Sequence, residues 1–254
     1  SKDFPANKKY AIPLSITGAS NYSLIPSQRS AILLLNRSIL SSVAKVSGGE
    51  GIRIKPVGMH TKAEWTIQMS AIYSSLTRSN LTTAYLSNGT GGAFYTRISS
   101  TAGIQVKNGR DGDDTWTQIP LQAGKWLHIT YVHKDKKTTV YVNGKVQKVF
   151  ENSAITFGEN SMIVVGNSGY RNDYLREIRL WDKALTESEI NDYLYLPMDP
   201  ATPHLISYLP LSKEMETKDL KAPAGTENVT TKARIEYVEN VKFPADELVI
   251  VNQE

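Results

Sequence analysis

Apolar residues recur with a two-residue period over several short segments of this chain, and residues typical of turns separate the segments. The clearest run is WLHITYV at 126–132, where Leu127, Ile129 and Tyr131 alternate with side chains that are also largely apolar. This alternation predicts a β-strand. Because both faces of the strand are apolar, we expect one to be buried and the other to be partly covered.

An antiparallel hairpin is predicted directly after this strand. The charged tip HKDKK at 133–137 leads into TTVYV at 138–142, and KVQKVF follows at 145–150. Between them, Asn143 and Gly144 are the pair of residue types that adopts positive φ in a tight two-residue turn. The whole stretch 124–182 therefore indicates a meander of short strands.

Similar segments lie on both sides of this meander. WTIQMSAIY at 65–73 is the clearest, with Trp65, Ile67 and Met69 on one face. Three segments rich in Gly, Ser, Thr, Asn or Asp predict connections, namely a strand-poor one at 77–92 and loops at 109–116 and 167–173. The other predicted strands lie at 10–16, 30–36, in a hairpin within 43–56, and at 93–99, 103–108, 161–166, 174–181, 204–211 and 233–243.

One helix is predicted. Thr186 and Glu189 have the spacing of a capping box, Ile190 and Leu194 follow at helical spacing, and Pro197 stops the helix. Strands thus far outnumber helices. This ratio predicts an all-β protein in which two antiparallel sheets pack as a sandwich with one short helix.

Composition excludes several classes of protein. The chain has 254 residues, and its 29 basic against 25 acidic residues give a net charge of only +4 without a continuous basic stripe, which argues against nucleic-acid binding. It has no cysteine, so disulfide frameworks, thiolate metal sites and cysteine nucleophiles are excluded. No run approaches the roughly 20 apolar residues of a transmembrane helix. The first residues lack the apolar core of a signal peptide, so any export signal has been removed or was never present.

Four motifs in order resemble a known family. GKWLHITYV, VYVNGK, IVVGN and LREIRLWDKALTESEI are similar to the motifs of the laminin-G-like, concanavalin-A-like jelly roll. The resemblance covers about 140 residues and implies a two-sheet jelly-roll sandwich over 41–254. VSGGEGIRI and HLISYLPL are similar to the opening and closing strands of this family.

The first 40 residues resemble part of a second kind of domain. YAIPLSI and SAILLLN, joined by GASNYSLIPSQR, are similar to the last strands of a domain of unknown function that precedes such jelly rolls in surface proteins of gut Bacteroidetes. Two strands alone are marginally stable, so residues 1–40 are expected to complete a preceding β-sandwich. The resemblance implies an exported protein, lipid-anchored at the bacterial cell surface through a missing N-terminal portion, and outer-membrane glycan-import proteins as partners.

The motifs of hydrolases are missing. Glucanases of this fold carry carboxylates along one strand about 5 Å apart, whereas Glu177 and Asp182 are five positions apart, an odd spacing that points to opposite faces. Neither Gly-x-Ser-x-Gly nor His-Glu-x-x-His occurs. His128 matches a strand histidine of the family, which implies an interior residue. We therefore expect no enzymatic activity.

Two kinds of ligand site remain. Asp111, Asp113 and Asp114 offer clustered oxygens that suit calcium, although a simple acidic turn is the favoured explanation and no other cofactor is indicated. A glycan needs an aromatic platform beside planar polar groups. We assign Trp65, Trp126 and Trp181 to the core.

The remaining candidates for carbohydrate contact come from three places in the sequence. Trp116 follows the acidic loop, and either projects to solvent as a platform or folds onto the sheet. The 167–173 loop offers an aromatic ring with donors and acceptors, and one predicted strand adds an aromatic and a cationic side chain on one face. These residues are Tyr170, Arg171, Asn172 and Asp173 in the loop, and Tyr95 and Arg97 in the strand.

The resulting hypothesis is a non-catalytic glycan-binding protein that captures oligosaccharides for uptake. A structural or adhesion module that binds a protein partner is the alternative, and a glycoside hydrolase is the third. A glycan site predicts an exposed aromatic ring near convergent polar groups, whereas a protein partner predicts a larger apolar patch.

Overall fold

The structure is a computed structural model, which describes residues 10–16, 30–35, 38–49, 51–57, 63–77, 79–85, 94–107, 113–151, 155, 157, 161–166 and 170–252. Its secondary structure is almost entirely strand. The described elements are β1 Tyr10–Ser15, β2 Ser30–Leu35, β3 Ile39–Gly48, β4 Ile52–Ile54, β5 Trp65–Ile72, β6 Ser79–Tyr85, β7 Phe94–Ser99, β8 Gly103–Lys107, a 3-10 helix Asp113–Thr115, β9 Trp126–Lys134, β10 Lys137–Val142, β11 Lys145–Glu151, β12 Met162–Val165, β13 Tyr170–Trp181, α1 Glu187–Asp192, β14 Leu205–Leu209, β15 Val229–Thr231 and β16 Arg234–Phe243.

The chain divides into two units, residues 1–39 and 40–254. In the first unit, β1 and β2 pair antiparallel from Tyr10 opposite Leu35 to Ser15 opposite Ser30. Both strands are confirmed, and Ile12, Leu14 and Ile32 are exposed on them, as is Ile16 directly after β1. That this unit completes a preceding sandwich stays a prediction.

The second unit consists of two antiparallel sheets. The eight-stranded sheet has the order β11-β10-β9-β5-β13-β3-β16, with β14 also paired to β13, and the six-stranded sheet has the order β15-β4-β12-β6-β7-β8. Apolar side chains from alternate positions of both sheets fill the space between them, among them Ile67, Phe94, Ile129 and Ile163. The predicted all-β sandwich is confirmed.

The β10–β11 hairpin forms as the sequence predicts. Val142 pairs with Lys145, and the two residues between them, Asn143 and Gly144, have φ angles of 51° and 76°. The Asn143 side chain also accepts a hydrogen bond from the backbone N–H of His128 at 2.8 Å. The turn is thereby tied to β9 by a contact that local sequence does not indicate.

The predicted hairpin within 43–56 is wrong, because β3 and β4 belong to different sheets. Two predicted connections are also wrong. The Thr- and Ser-rich segment at 77–92 contains β6, which pairs with β12 on one side and β7 on the other. The predicted loop at 167–173 also overlaps a strand, because β13 begins at Tyr170. In both places pairing with neighbouring strands outweighs a local composition that lacks hydrophobic alternation.

The helix begins at the predicted capping box. The Thr186 Oγ1 accepts a hydrogen bond from the Glu189 N–H, and the Glu189 carboxylate accepts one from the Thr186 N–H. Ile190 is fully buried, and the helix ends at Asp192, before Leu194. No helix in the described part of the chain is long and apolar enough to cross a bilayer.

Replacing Thr186 with Ala should lower the free energy of unfolding by about 1 kcal/mol, because the helix would lose the acceptor for one of its free N–H groups. Chemical denaturation would measure the change. Thr226→Ala, at an exposed threonine, is the control and should be neutral. An equal effect of both substitutions would contradict a capping role for Thr186.

Candidate functional site

Tyr95 and Arg97 lie together on the outer face of the six-stranded sheet. Along β7 the side chains of Phe94, Thr96 and Ile98 are fully buried, whereas those of Tyr95 and Arg97 are half-buried. The Arg97 Nε donates a hydrogen bond to the Tyr95 hydroxyl at 2.8 Å, and the guanidinium carbon lies 5.2 Å from the ring centroid. An aromatic ring is thus held beside a cation on a rigid strand.

The neighbouring strand, β8, extends this surface. Lys107 pairs with Tyr95, and its ammonium lies 5.8 Å from the Tyr95 ring centroid. Gln105 pairs with Arg97, and its Nε2 donates to Thr115 Oγ1 at 2.8 Å. Because directly opposite residues of antiparallel strands point to the same side, these side chains share one face, which we name the β7–β8 face.

Trp116 closes the edge of this face but is not an exposed platform. It forms an isolated antiparallel bridge with Gln105, and only 5% of its surface is exposed. Lys148 of β11 holds this segment, because its Nζ donates to the carbonyls of Asp114 at 2.8 Å and Trp116 at 2.7 Å. Of the two alternatives for Trp116, the structure therefore has it folded onto the sheet.

The second group of candidates is only partly described. The side chains of Tyr170 and Arg171 lie outside the described residues. Asn172 is exposed with a φ of 62°, at an irregularity in the pairing of β13 with β3. Asp173 is buried, and its carboxylate accepts hydrogen bonds from the N–H and hydroxyl of Ser74 at 2.7 and 2.9 Å. Asp173 thus stabilises the turn after β5.

The acidic segment gives no metal cluster in the described part of the chain. Asp111 lies outside the described residues, Asp113 begins the 3-10 helix, and Asp114 is exposed. Among the described residues, no three His, Cys, Asp or Glu side chains are grouped so that they could hold a metal. Calcium binding at 111–114 stays a prediction.

Arg176, Glu177 and Arg179 form a buried charge cluster on the outer face of the eight-stranded sheet. Glu177 sits at a bulge with a φ of 56°, and the three side chains are at most 5% exposed. Arg176 Nη2 lies 2.7 Å from one carboxylate oxygen of Glu177, and Arg179 Nε donates to the other at 2.9 Å. The sequence does not reveal this cluster, because it depends on the bulge.

The cluster anchors the segment after the helix, residues 193–198, which we name the strap. Arg179 donates to the carbonyls of Tyr193 at 2.8 Å and Leu196 at 2.6 Å, and Arg176 donates to that of Tyr195 at 3.1 Å. Rings add to these contacts, since Tyr193 stacks on Trp181 with centroids 5.6 Å apart. The strap therefore covers this part of the sheet.

His128 lies beneath the strap. The residue is 4% exposed, its Nδ1 is 2.6 Å from the Ser70 hydroxyl, and its Nε2 has no hydrogen-bond partner. Burial, together with repulsion from Arg176 and Arg179, lowers the pKa of His128 to about 3. The adjoining cavity offers about 10 Å³ to the centre of a water molecule, which is room for about one water.

The two carboxylates considered as catalytic candidates in the sequence, Glu177 and Asp182, both already interact with other side chains. Glu177 is paired with two guanidinium groups. Asp182 lies just beyond β13, with its Oδ1 3.0 Å from His204 Nδ1. A catalytic carboxylate must be free to exchange a proton with its substrate, whereas both oxygens of Glu177 are already bonded to arginine side chains.

Solved structures show the same fold at low sequence identity. A protein of Bacteroides ovatus for which carbohydrate binding has been suggested has a TM-score of 0.61 and 18% identity, over 94% of this chain and 71% of its own. A heptameric SAP-like pentraxin of Limulus polyphemus has a TM-score of 0.52 and 14% identity, over 78% of this chain and 94% of its own. At these identities the likeness concerns the fold alone.

A weaker structural similarity and a search of curated sequences give no further support for a function. A Trypanosoma rangeli sialidase has a TM-score of 0.46 and 15% identity, over 58% of this chain and 27% of its own, which is too low to support an argument. The chain matches no curated protein sequence.

A family match gives the more specific result. The sequence model of the family described as the Concanavalin A-like lectin/glucanases superfamily matches residues 47–191, more than half of the chain. This range includes strands of both sheets and all four motifs named above. The chain therefore belongs to the Concanavalin A-like lectin/glucanases superfamily, and its sandwich is the jelly roll that those motifs predict.

Proposed function

We propose that this protein binds glycans without cleaving them, and that the β7–β8 face is its binding surface. The observation that carries this proposal is the Tyr95–Arg97 pair, in which an accessible aromatic ring is fixed beside a planar, donor-rich group. Sugars present an apolar ring face beside hydroxyl groups, so they bind to this combination. Because β7 has strands on both sides, the pair needs little reorganisation on binding.

Family membership supports a carbohydrate ligand, since lectins and glucanases define the superfamily. The suggested carbohydrate binding of the Bacteroides ovatus protein agrees with it. Binding without hydrolysis is supported by the ion pairs of Glu177 with Arg176 and Arg179, and by the low pKa, about 3, of the buried His128. An imidazole with this pKa is neutral at physiological pH and is covered by the strap.

We further propose that the protein acts at the bacterial cell surface together with outer-membrane glycan-import proteins. The resemblance of residues 1–40 to the tail of a surface-protein domain motivates this part. It is tested by locating the tagged protein in fractionated cells and by co-purification with the importer of its glycan.

A second candidate, an adhesion module, is favoured by one observation. Four large aliphatic side chains, Ile12, Leu14, Ile16 and Ile32, are exposed on the β1–β2 hairpin. Exposed apolar patches are typical of protein–protein contacts. If this candidate were correct, Ile12→Ser/Ile32→Ser would abolish adhesion while changes at Tyr95 would not.

Tyr95→Ala should weaken binding of a glycan identified on an array by about tenfold, which corresponds to about 1.4 kcal/mol of lost stacking. Isothermal titration calorimetry would measure the affinity, and thermal unfolding would show that the variant is folded. Asn172→Gly is the matched variant at the other candidate position, and its positive φ makes glycine acceptable there. Loss of binding in Asn172→Gly alone would move the site to the start of β13, and no binding by the wild type to any glycan would overturn the proposal.

A further inference from the structure

We infer that the glycan bound by the β7–β8 face is anionic, with a carboxylate or sulfate group recognised by Arg97 and Lys107. This inference rests on the proposed function and narrows it to one class of ligand. It follows from where the charges of the six-stranded sheet lie.

The six-stranded sheet is charged with one sign only. Its strands β4, β6, β7, β8, β12 and β15 contain three cationic residues, Arg53, Arg97 and Lys107, and no Asp or Glu. The strands of the eight-stranded sheet carry both signs, as in the buried charge cluster and in the pair of Lys137 with Glu151 at 3.0 Å. The strands of the two sheets therefore differ in the signs of the charges that they carry.

Register places the cations of the six-stranded sheet on its outer face. On β12, Val164 pairs with Arg53 of β4 on one side and with Thr83 of β6 on the other. Thr83 in turn pairs with Tyr95 of β7, and Tyr95 pairs with Lys107 of β8. Opposite residues of antiparallel strands share a side, so Arg53, Tyr95 and Lys107 belong to one row across the sheet. Val164 is fully buried in the middle of this row, so the accessible part is the Tyr95–Lys107 end.

At that end, two cations flank one aromatic ring. Arg97 and Lys107 lie 5.2 and 5.8 Å from the Tyr95 centroid, and all three side chains are half-buried. Both cations also interact with other groups of the protein, which hold them in place. Partial burial strengthens the field of a charge compared with full solvation. A guanidinium binds a carboxylate or sulfate through paired N–H donors.

A neutral glycan would stack on Tyr95 without using the positive charge of Arg97 or Lys107. An anionic sugar that stacks on Tyr95 instead places its charged substituent within reach of Arg97 on the same strand and Lys107 on the next. The geometry thus favours a sugar unit that carries both an apolar ring face and a negatively charged substituent.

The test is calorimetry with three tetrasaccharides of similar length: an oligogalacturonate, a sulfated chondroitin fragment and a neutral galactan fragment. We expect one or both anionic probes to bind, with an affinity that falls when salt is raised from about 0.05 to about 0.5 M. Arg97→Gln should weaken this binding by at least about tenfold, and Lys107→Gln should weaken it less. Lys145→Gln, at an exposed lysine of β11, is the control and should leave it unchanged.

Three other outcomes would contradict the inference. If the neutral fragment binds as tightly as the anionic fragments, the inference is overturned and the proposed function stands. If anionic binding persists in Arg97→Gln and Lys107→Gln, the charge is recognised elsewhere and the inference is also overturned. If no member of a broad glycan array binds, the inference and the proposed function fall together.

Discussion

Glu177→Gln is expected to lower the free energy of unfolding by about 3–5 kcal/mol, the typical cost of breaking a buried ion pair by removing one partner. In the native fold the Glu177 carboxylate compensates Arg176 and Arg179, and all three are almost completely buried. The glutamine has nearly the same shape but no charge, so two guanidinium groups would remain dehydrated beside each other. The strap, which both arginines hold, should loosen as well.

Urea denaturation followed by tryptophan fluorescence would measure this change, because Trp181 stacks on Tyr193 of the strap. For a chain of this size the melting temperature should fall by roughly 10 °C. Glu236→Gln is the control, since Glu236 is exposed and its ion pairs with Arg234 and Lys45 span 3.5 and 3.9 Å. Such pairs contribute less than about 1 kcal/mol. A loss below about 1 kcal/mol in Glu177→Gln would show that the arginines do not depend on this carboxylate.

Acid is expected to destabilise the fold well above the pH at which most carboxylates titrate. His128 and His133 have pKa values lowered from 6.5 to about 3 and about 4, in both cases chiefly by burial. The unfolded chain therefore binds protons below pH 6.5 that the folded chain cannot accept. The stability from these two groups is complete above that pH and is lost as the pH falls toward their folded pKa values.

The contacts of His133 explain why it is neutral. Its Nε2 accepts a hydrogen bond from the Ile155 N–H at 3.1 Å, so its proton is on Nδ1, which lies 3.0 Å from the Thr138 hydroxyl. Trp65 stacks on the ring with centroids 5.1 Å apart. Protonation of Nε2 would break the bond from Ile155 and place a charge inside the sandwich.

At pH 4 each histidine should reduce the free energy of unfolding by about 3 kcal/mol, and the two together approach the whole stability of a typical domain. Unfolding curves recorded between pH 7 and pH 4 would measure the slope. His128→Gln and His133→Gln should each remove part of that slope, whatever they do to stability at pH 7. If both variants retained the full slope, acid sensitivity would come from other groups.

Local signals in the sequence were sufficient for part of the fold. Asn143-Gly144 specifies its hairpin through its own φ angles, and Thr186 and Glu189 specify the helix start through contacts within one turn. Alternation in β5 and β9 identifies their core faces. These features depend on neighbours in the chain, which is why the sequence alone predicts them.

Features that depend on distant partners were missed or misjudged. β6 has little hydrophobic alternation and forms because β7 and β12 offer hydrogen-bonding edges on both sides. Trp116 is buried because Gln105 pairs with it and Lys148 holds its carbonyl from another sheet. Neither partner lies in its sequence neighbourhood. Of the candidate site, Tyr95 and Arg97 were predictable from their spacing, whereas Lys107 joins them only through register.

The packing of the β10–β11 turn has a consequence for protein engineering. A surface hairpin with Asn-Gly at its tip would ordinarily be chosen for inserting an epitope tag. Here the Asn191 Nδ2 of α1 donates to the Gly144 carbonyl at 3.3 Å, and a Cβ on Gly144 would lie 2.1 Å from the Asn191 side-chain oxygen. An insert at this tip would push against the helix, whereas Gly225 has no atoms within 4 Å of its Cβ position. The turn around Gly225 is therefore the better attachment point for a tag or fluorophore, and it leaves the β7–β8 face unmodified.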